Sequence, residues 1–272
     1  MDTAKWMDFA MELSAVAVRI SRDRHGNARV DYKPDGSHIT EADTEIQAAL
    51  CERIRIACPT HAVLCEESGA YLADMPPATD AEFCWVIDPL DGTRNYVRSL
   101  PAYCTSIALL RHSQPICGVI ADHLRCTFYT AVHGQGAFCG SKRLEVAPPA
   151  DRGPVVSFQP ADDGSTYDQA RGWIRDIHLR SFGSTALHLA YVAEGGLDAA
   201  VCIENRIWDL AAGALLVTEA GGVVTDLDGH PVLPVDLTRP PDRLTPFIAG
   251  EQSTHQRLLR SWQHAHPPTG GP

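Results

Sequence analysis

Phe83-Cys84-Trp85-Val86-Ile87-Asp88-Pro89-Leu90-Asp91-Gly92-Thr93-Arg94-Asn95-Tyr96 is an apolar run that stops on two carboxylates, Asp88 and Asp91, and then on Gly92-Thr93. Such a run reads as a buried strand. The rigid Pro89-Leu90 step fixes both acids at one end of a sheet, where two like charges held close repel unless a cation neutralises them. Hard carboxylate oxygens favour Mg2+ or Mn2+. Gly92 lets the backbone approach a ligand closely, and free amides around Thr93, at the start of the next turn or helix, receive an anion. A metal beside an anion nest points to phosphate. The same Asp-Pro-Leu-Asp-Gly segment also fits a surface turn, since Asp, Pro and Gly are frequent turn formers. Two further acidic motifs weigh against that alternative.

Upstream, His61 to Cys65 is a short apolar run ending at Glu66-Glu67-Ser68, a second strand that delivers acids at its end. Before it, Thr40-Glu41-Ala42-Asp43 has the form of a capping box with Thr40 as N-cap of a helix over residues 41–57, and capping alone accounts for Asp43. Trp6, Ala10, Leu13, Ala17 and Ile20 fall at helical spacing and predict an opening helix over residues 3–21. Arg22 to Ser37, with Gly26, Pro34 and Gly36, reads as a loop or flexible hairpin. Downstream, the runs 105–110, 115–120 and 127–130 predict an antiparallel meander. Gly134 to Gly140 half-resembles a dinucleotide fingerprint, but its third glycine is displaced and a strand pattern follows, so it reads as a hairpin. Ala147 to Pro154, with three prolines, marks the boundary between halves.

The second half alternates element types: strand near 155–158, helix near Ser165–Ile174, strand near 179–182, helix from Ser184 or Thr185 to Ala193, strand 197–203. Asp209 then opens a helix to Ala220, closed by Gly221-Gly222. Strands are expected near 223–224 and 246–249. Alternating elements in both halves imply a layered α/β protein. The organisation is therefore an N-terminal half over residues 1–148, a C-terminal half over 149–262, and a disordered tail over 263–272.

Composition narrows the class. A chain of 272 residues with 44% apolar content buries a large core, and a net charge of -11 argues against a nucleic-acid partner. Asp2, Lys5, Asp8, Glu12 and Arg19 interrupt the stretch where a signal peptide would be apolar, and no run approaches membrane-spanning length. Nine cysteines without a Cys-x-x-Cys pair read as reduced, mostly buried thiols of a cytoplasmic protein. Cys51, Cys58 and Cys65 recur every seventh residue, a spacing assigned to core packing.

The third acidic motif is Trp208-Asp209-Leu210-Ala211-Ala212-Gly213, running on to Glu219-Ala220-Gly221-Gly222. Alone, Asp209 is an ordinary N-cap residue. Together with Glu66-Glu67 and Asp88-Pro-Leu-Asp-Gly-Thr93, it closely resembles the inositol monophosphatase family of Mg2+-dependent, lithium-sensitive phosphatases, with the match running from Thr40 to Gly222. The resemblance implies a five-layered αβαβα sandwich of the inositol monophosphatase and fructose-1,6-bisphosphatase type, with the site between the halves, usually in a homodimer. It implies that Glu66, Asp88 and the Leu90 carbonyl bind a first metal, that Asp88, Asp91 and Asp209 bind a second, and that a third, weaker one leans on Glu66 with Asp43 in its outer sphere. Glu67 is either an accessory acid or a solvated neighbour. Two metals roughly 4 Å apart would clamp an in-line displacement at phosphorus without a phosphoenzyme. In that scheme Thr93 holds the attacking water, Glu66 accepts its proton, Gly92 and Thr93 amides cradle the phosphate, and Asp209 orients water near the leaving oxygen. Lys33 matches a mobile segment that folds over the site, or is a solvated surface lysine. Ser184 and Thr185 match a segment that touches substrate, and both also suit a helix N-cap.

The chain departs from the pattern where inositol-selective members place a glutamate six residues before the Trp of the third motif. That position is Cys202. Glu204, two residues on, lies on the same face of a strand of period two and takes over part of that role. The expected substrate is a small phosphate monoester, inositol monophosphate or a related polyol or sugar phosphate. Histidinol phosphate, to which Arg94 points, and 3'-phosphoadenosine nucleotides are alternatives, and a non-catalytic binder on the same fold is a more remote one. No nucleic-acid polymer or membrane partner is expected.

Overall fold

Wherever the chain has a wide apolar stripe, the elements form as the spacing predicts. The computed structural model describes residues 3–33, 36–68, 70–149, 153–161, 164, 166–173 and 176–265. Pro34, Ser165, Ile174 and the residues after Ala265 lie outside that set. Helix α1 (Thr3–Arg24) buries Ala10, Leu13, Ala17 and Ile20 along one face. The loop that follows is a hairpin of β1 (Val30–Tyr32) and β2 (His38–Thr40). Helix α2 (Glu41–Ala57) starts at the Thr40 cap and buries Ile46, Leu50, Cys51 and Ile54.

The chain then builds an eight-stranded sheet from β3 (Ala62–Cys65), β4 (Ala70–Tyr71), β5 (Phe83–Asp91), β6 (Cys104–Arg111), β7 (Gln114–Asp122), β8 (Thr127–Val132), β9 (Gly136–Cys139) and β10 (Lys142–Arg143), interrupted by the short helix α3 (Thr93–Val97). From one edge the order is β10-β9-β8-β7-β6-β5-β3-β4. β6, β7 and β8 form the expected meander. β3 and β5 are parallel, so both release the chain at the same end. A five-stranded sheet follows, from β11 (Val155–Gln159), β12 (His178–Arg180), β13 (Ala199–Cys202), β14 (Val223–Thr225) and β15 (Phe247–Gly250). Its helices are α4 (Tyr167–Trp173), α5 (Thr185–Glu194), α6 (Ile207–Glu219) and α7 (Gln252–Ala265).

Three apolar interfaces order these layers. Leu13, Ile46 and Leu50 of α1 and α2 pack on Trp85, Ile87, Ile107 and Val119. The opposite face of the same sheet, through Val86, Ala108 and Ile120, meets Leu187, Leu189, Leu210 and Leu216 of α5 and α6, which also meet Ala200 and Phe247 of the second sheet. Phe158, Val201 and Ile248 face Trp173 of α4 and Leu258 and Trp262 of α7. The stack is helices, sheet, helices, sheet, helices, the five-layered αβαβα sandwich. Full burial of one large apolar side chain such as Trp85 or Leu50 stabilises by about 2 kcal/mol. In the middle layer α5 and α6 approach closely at Gly213, where a Cβ would stand 2.4 Å from Leu189 Cδ1.

Two expectations are corrected here. The stretch 263–272 does not begin as disordered tail, because α7 continues to Ala265 and Gln263 Nε2 donates to the Asp228 carbonyl at 3.0 Å. The helix hides in the sequence because its buried face is only Thr254, His255, Leu258 and Trp262 on an otherwise polar segment. Asp209 does not open α6 as its N-cap. The helix starts at Ile207, and Asp209 is its third residue. Among the described residues no helix is long and apolar enough to cross a membrane, and all nine cysteines are free thiols, most of them buried.

Candidate metal centre

Register places the first two acids. In the parallel pair β3–β5, Cys65 lies opposite Ile87, and the Glu66 amide continues the ladder by donating to the Ile87 carbonyl at 3.1 Å. Glu66 therefore emerges beside Asp88. A regular strand would send Asp88 and Asp91, three residues apart, to opposite faces. On β6, however, their partners are Ser106 and Cys104, only two residues apart, so β5 carries an extra residue between the acids. This bulge, at the Pro89 that cannot donate to the ladder, turns both carboxylates to one side.

The acids are then fixed individually. Asp88 Oδ1 accepts the Leu90 amide at 2.8 Å. Asp91 Oδ2 accepts the Ser184 hydroxyl at 2.6 Å and the Ala186 amide at 2.7 Å, so the first turn of α5 holds it. Asp209 Oδ2 accepts the Arg206 amide at 2.8 Å, while the Trp208 carbonyl accepts from Ser106 Oγ at 3.0 Å, tying α6 to the strand opposite Asp88. Carboxylate oxygens of Asp88, Asp91 and Asp209 all lie within 4.8 Å of one another.

Asp43 reaches the same place from α2. Its Oδ2 accepts the Thr40 amide at 2.8 Å and the Thr40 hydroxyl at 2.5 Å, and its Oδ1 accepts from Thr93 Oγ1 at 3.0 Å. It is both cap residue and partner of Thr93, whose hydroxyl also lies 2.9 Å from the Leu90 carbonyl. Gly92, at φ 89, caps α3, and a Cβ there would stand 2.8 Å from the Ala102 carbonyl.

Without a cation, burial and mutual repulsion favour the protonated over the fully ionised acids. Burial, then the charges of Glu66, Asp91 and Asp209, push Asp88 well above the usual carboxylate range. Burial raises Asp91 to about 6 against the Ser184 and Ala186 hydrogen bonds. Burial and the charges of Asp91 and Glu66 raise Asp209 to about 8, and burial raises Asp43 to about 6. Hard oxygen donors crowded this way fit a divalent cation of the Mg2+ type. Glu66, Asp88, Asp91 and Asp209 are the side chains able to hold it.

Two residues lie differently from one of the alternatives offered by the sequence. Lys33 is not solvated: its Nζ is 2.9 Å from Glu66 Oε1 and 2.8 Å from Glu67 Oε2. Burial works against its charge, yet the two glutamates hold it above its ordinary range. Glu67 is not a solvated neighbour either, since its side chain is 2% exposed, and burial with the Glu66 charge raises it to about 8. Ser184 and Thr185 are both buried; the first holds Asp91 and caps α5, and the second donates to Gln159 Oε1 at 3.2 Å. β13 ends at Cys202, so strand alternation does not carry as far as Glu204. Cys202 is buried, with its thiol 3.6 Å from the Glu204 carbonyl and from Thr185 Oγ1. The sequence pointed to Ser184 as a cap and a substrate contact but not as the partner of Asp91, and the role of Ser106 carried no sequence signal.

Two other features are separate from this centre. Asp226, Asp228 and His230 also cluster, but the Asp226 oxygens already accept the Asp228 and His230 amides at 3.0 and 2.8 Å, as a turn requires. A cavity of ≈ 670 Å³ beside Leu64, Tyr71, Ile207 and Leu210 is lined by none of the four acids.

Comparison with known proteins finds relatives over most of the chain. A family model described as the inositol monophosphatase family matches residues 2–265. The Nus factor SuhB of Escherichia coli strain K12 is 37% identical over 204 residues, 72% of this chain and 74% of that protein. An inositol-1-monophosphatase of Mesorhizobium japonicum is 34% identical over 210 residues, 75% of this chain and 77% of that one. The solved inositol monophosphatase from Anabaena (Nostoc) superposes with a TM-score of 0.82 at 28% identity, covering 97% of both chains.

Proposed function

The chain belongs to the inositol monophosphatase family, and from that premise we propose that it hydrolyses a small phosphate monoester with Mg2+ held by Glu66, Asp88, Asp91 and Asp209. The observation that carries this is the buried convergence of Asp88, Asp91 and Asp209, whose like charges meet no cationic hydrogen-bond partner among the described residues. The cations supply, when bound, an acidified water and charge neutralisation at the phosphoryl oxygens. Mn2+ is the expected substitute.

The chain's own residues do the positioning. Asp88 would be shared between the two main metal positions, the Leu90 carbonyl would serve the first, and Asp43 would support a third, weaker one from outside its direct ligands. Thr93 Oγ1, held between Asp43 and the Leu90 carbonyl, orients the attacking water, and Glu66 takes its proton. Amides of Gly92 and Thr93 bind phosphate oxygens at the start of α3. Asp209 orients water at the leaving oxygen, so the product alcohol departs without a phosphoenzyme. On the substrate side stand Ser184, Thr185 and Glu204, with Ser184 also fixing Asp91. Residues 1–148 bring most of the acids, and residues 149–262 bring Asp209 and the α5 turn. The setting that goes with this reading is a cytoplasmic homodimer acting on a soluble phosphate monoester, with no nucleic-acid or membrane partner. Inositol monophosphate is the leading substrate, ahead of histidinol phosphate and 3'-phosphoadenosine nucleotides.

Phosphate release measured over this panel, with and without Mg2+, tests the proposal and ranks the substrates. Asp88→Asn should abolish Mg2+-dependent release while leaving the circular dichroism spectrum unchanged. Retention of more than a few per cent of activity would contradict the bridging role. Lithium should inhibit by competing at the more weakly held metal position.

A further inference from the structure

Two thiols that the phosphatase chemistry does not use lie in contact directly behind the metal centre. Cys51 Sγ on α2 and Cys65 Sγ at the end of β3 are 3.2 Å apart, both buried between the first helical layer and the eight-stranded sheet. A disulfide needs about 2.05 Å between the sulfurs, so closure requires an approach of only about 1 Å. The residues are fourteen apart in the chain, and their side chains are already in contact.

We propose that Cys51 and Cys65 form a peroxide-oxidised disulfide site that weakens metal binding when closed. The coupling to metal rests on Glu66 being a ligand, whereas the disulfide does not. In the reaction Cys51, the more accessible sulfur at 5% exposure against 0% for Cys65, attacks one oxygen of a hydroperoxide as thiolate. The O–O bond breaks, the alcohol leaves after taking up a proton, and Cys51 becomes a sulfenic acid. The Cys65 sulfur then attacks Cys51 Sγ and expels water. Two thiols have lost two electrons to the peroxide, and the products are one disulfide, one alcohol and one water. The hydrogen bond from the Cys65 thiol lowers the Cys51 thiol from its ordinary range, which favours Cys51 as the attacking group.

Closure would act on the metal centre through short connections. Glu66 is the next residue after Cys65, and its partner element α2 carries Asp43 two turns before Cys51. Gln47, one turn before Cys51, accepts the Glu67 amide at 3.1 Å. Pulling the end of β3 toward α2 therefore shifts the Glu66–Glu67 turn relative to Asp88, against which it is registered.

The test is made on the full-length protein treated with tert-butyl hydroperoxide, digested without reductant and mapped by mass spectrometry. The expected result is a Cys51–Cys65 linked peptide that dithiothreitol removes, together with a roughly ten-fold loss of Mg2+ affinity by calorimetry, restored on reduction. C51S and C65S should each lack the linked peptide, and C126S, which removes an exposed thiol, should keep it. The proposal is overturned if Cys126 is consumed with no 51–65 linkage, if Cys51 proceeds to a sulfinic acid instead, or if the linkage forms without change in Mg2+ affinity. The wild-type peptide map needs no variant to fold and no substrate to turn over. Failure of the phosphatase assignment and failure of the disulfide are therefore distinguishable.

Discussion

Raising pH from 6.5 to 8 should destabilise the protein in EDTA and leave it far less affected in saturating Mg2+. Within that window Asp88, Asp209 and Glu67 are the decisive groups, since burial and mutual repulsion raise Asp88 well above its ordinary range and raise Asp209 and Glu67 to about 8. In the unfolded chain such carboxyls titrate near pH 4 and are already ionised. The native state thus binds more protons than the unfolded one, and stability falls with pH by about 1.4 kcal/mol per unit for each proton retained. The three acids interact and share protons, so a single retained proton is the safe minimum, giving about 2 kcal/mol over the window. Histidines oppose part of this. Burial lowers His123 to about 3 and His188 to about 4 and also lowers His61 and His255, and since unfolded histidines are half protonated near pH 6.5, each gains up to about 0.4 kcal/mol of stability between pH 6.5 and 8, so the acid slope is read as the difference between the wild type and a variant that lacks a raised acid. Mg2+ removes the slope by holding the carboxylates ionised in the native state. Urea unfolding followed by tryptophan fluorescence at several pH values measures it, and Asp209→Asn should flatten the EDTA slope. Metal-free stability that changes with pH between 6.5 and 8 in the same way in the wild type and in Asp209→Asn would refute the reasoning.

Ser184→Ala removes the 2.6 Å hydrogen bond to Asp91 and the cap of α5. It should cost about 1 kcal/mol in unfolding experiments and roughly ten-fold in Mg2+ affinity by calorimetry; unchanged affinity would mean that Asp91 is held without it. Gly213→Ala puts a Cβ against Leu189 in the middle layer, so it should lower stability by about 1–3 kcal/mol. Mg2+ affinity of the folded Gly213→Ala protein should stay at the wild-type value, and an unchanged unfolding midpoint would show that α5 has room to yield.

What the sequence disclosed follows from how each feature is encoded. The layers were legible because α1, α2 and the meander each carry a wide apolar stripe or run, and α7 was not because its buried face is Thr254, His255, Leu258 and Trp262 among polar residues. The acids were legible because each ends a strand or begins a helix beside glycine, proline or a cap residue. Lys33 was ambiguous because a lysine in a polar loop looks the same whether it faces water or two glutamates. Its ion pairs with Glu66 and Glu67 depend on the hairpin folding back over the end of β3, which is a tertiary event.

The separation of Asp88 and Asp91 shows where local pattern ends and pairing begins. Three residues along a regular strand point to opposite faces, so the spacing alone would put one acid in the site and the other beneath the sheet. Pro89 explains how the ladder can be interrupted between them, yet nothing in residues 83–96 fixes how the partner strand responds. That answer lies on β6, where Ser106 and Cys104 face the two acids two residues apart. Ser106 then reaches the carbonyl of Trp208, next to Asp209, and Cys104 lies within 3.5 Å of the Ser184 hydroxyl that holds Asp91. A strand with no acid in it thus aligns the three that must converge. A charge-free substitution on β6, more than 100 residues from Asp209, is therefore able to disturb the metal centre as directly as a change in a ligand's neighbour.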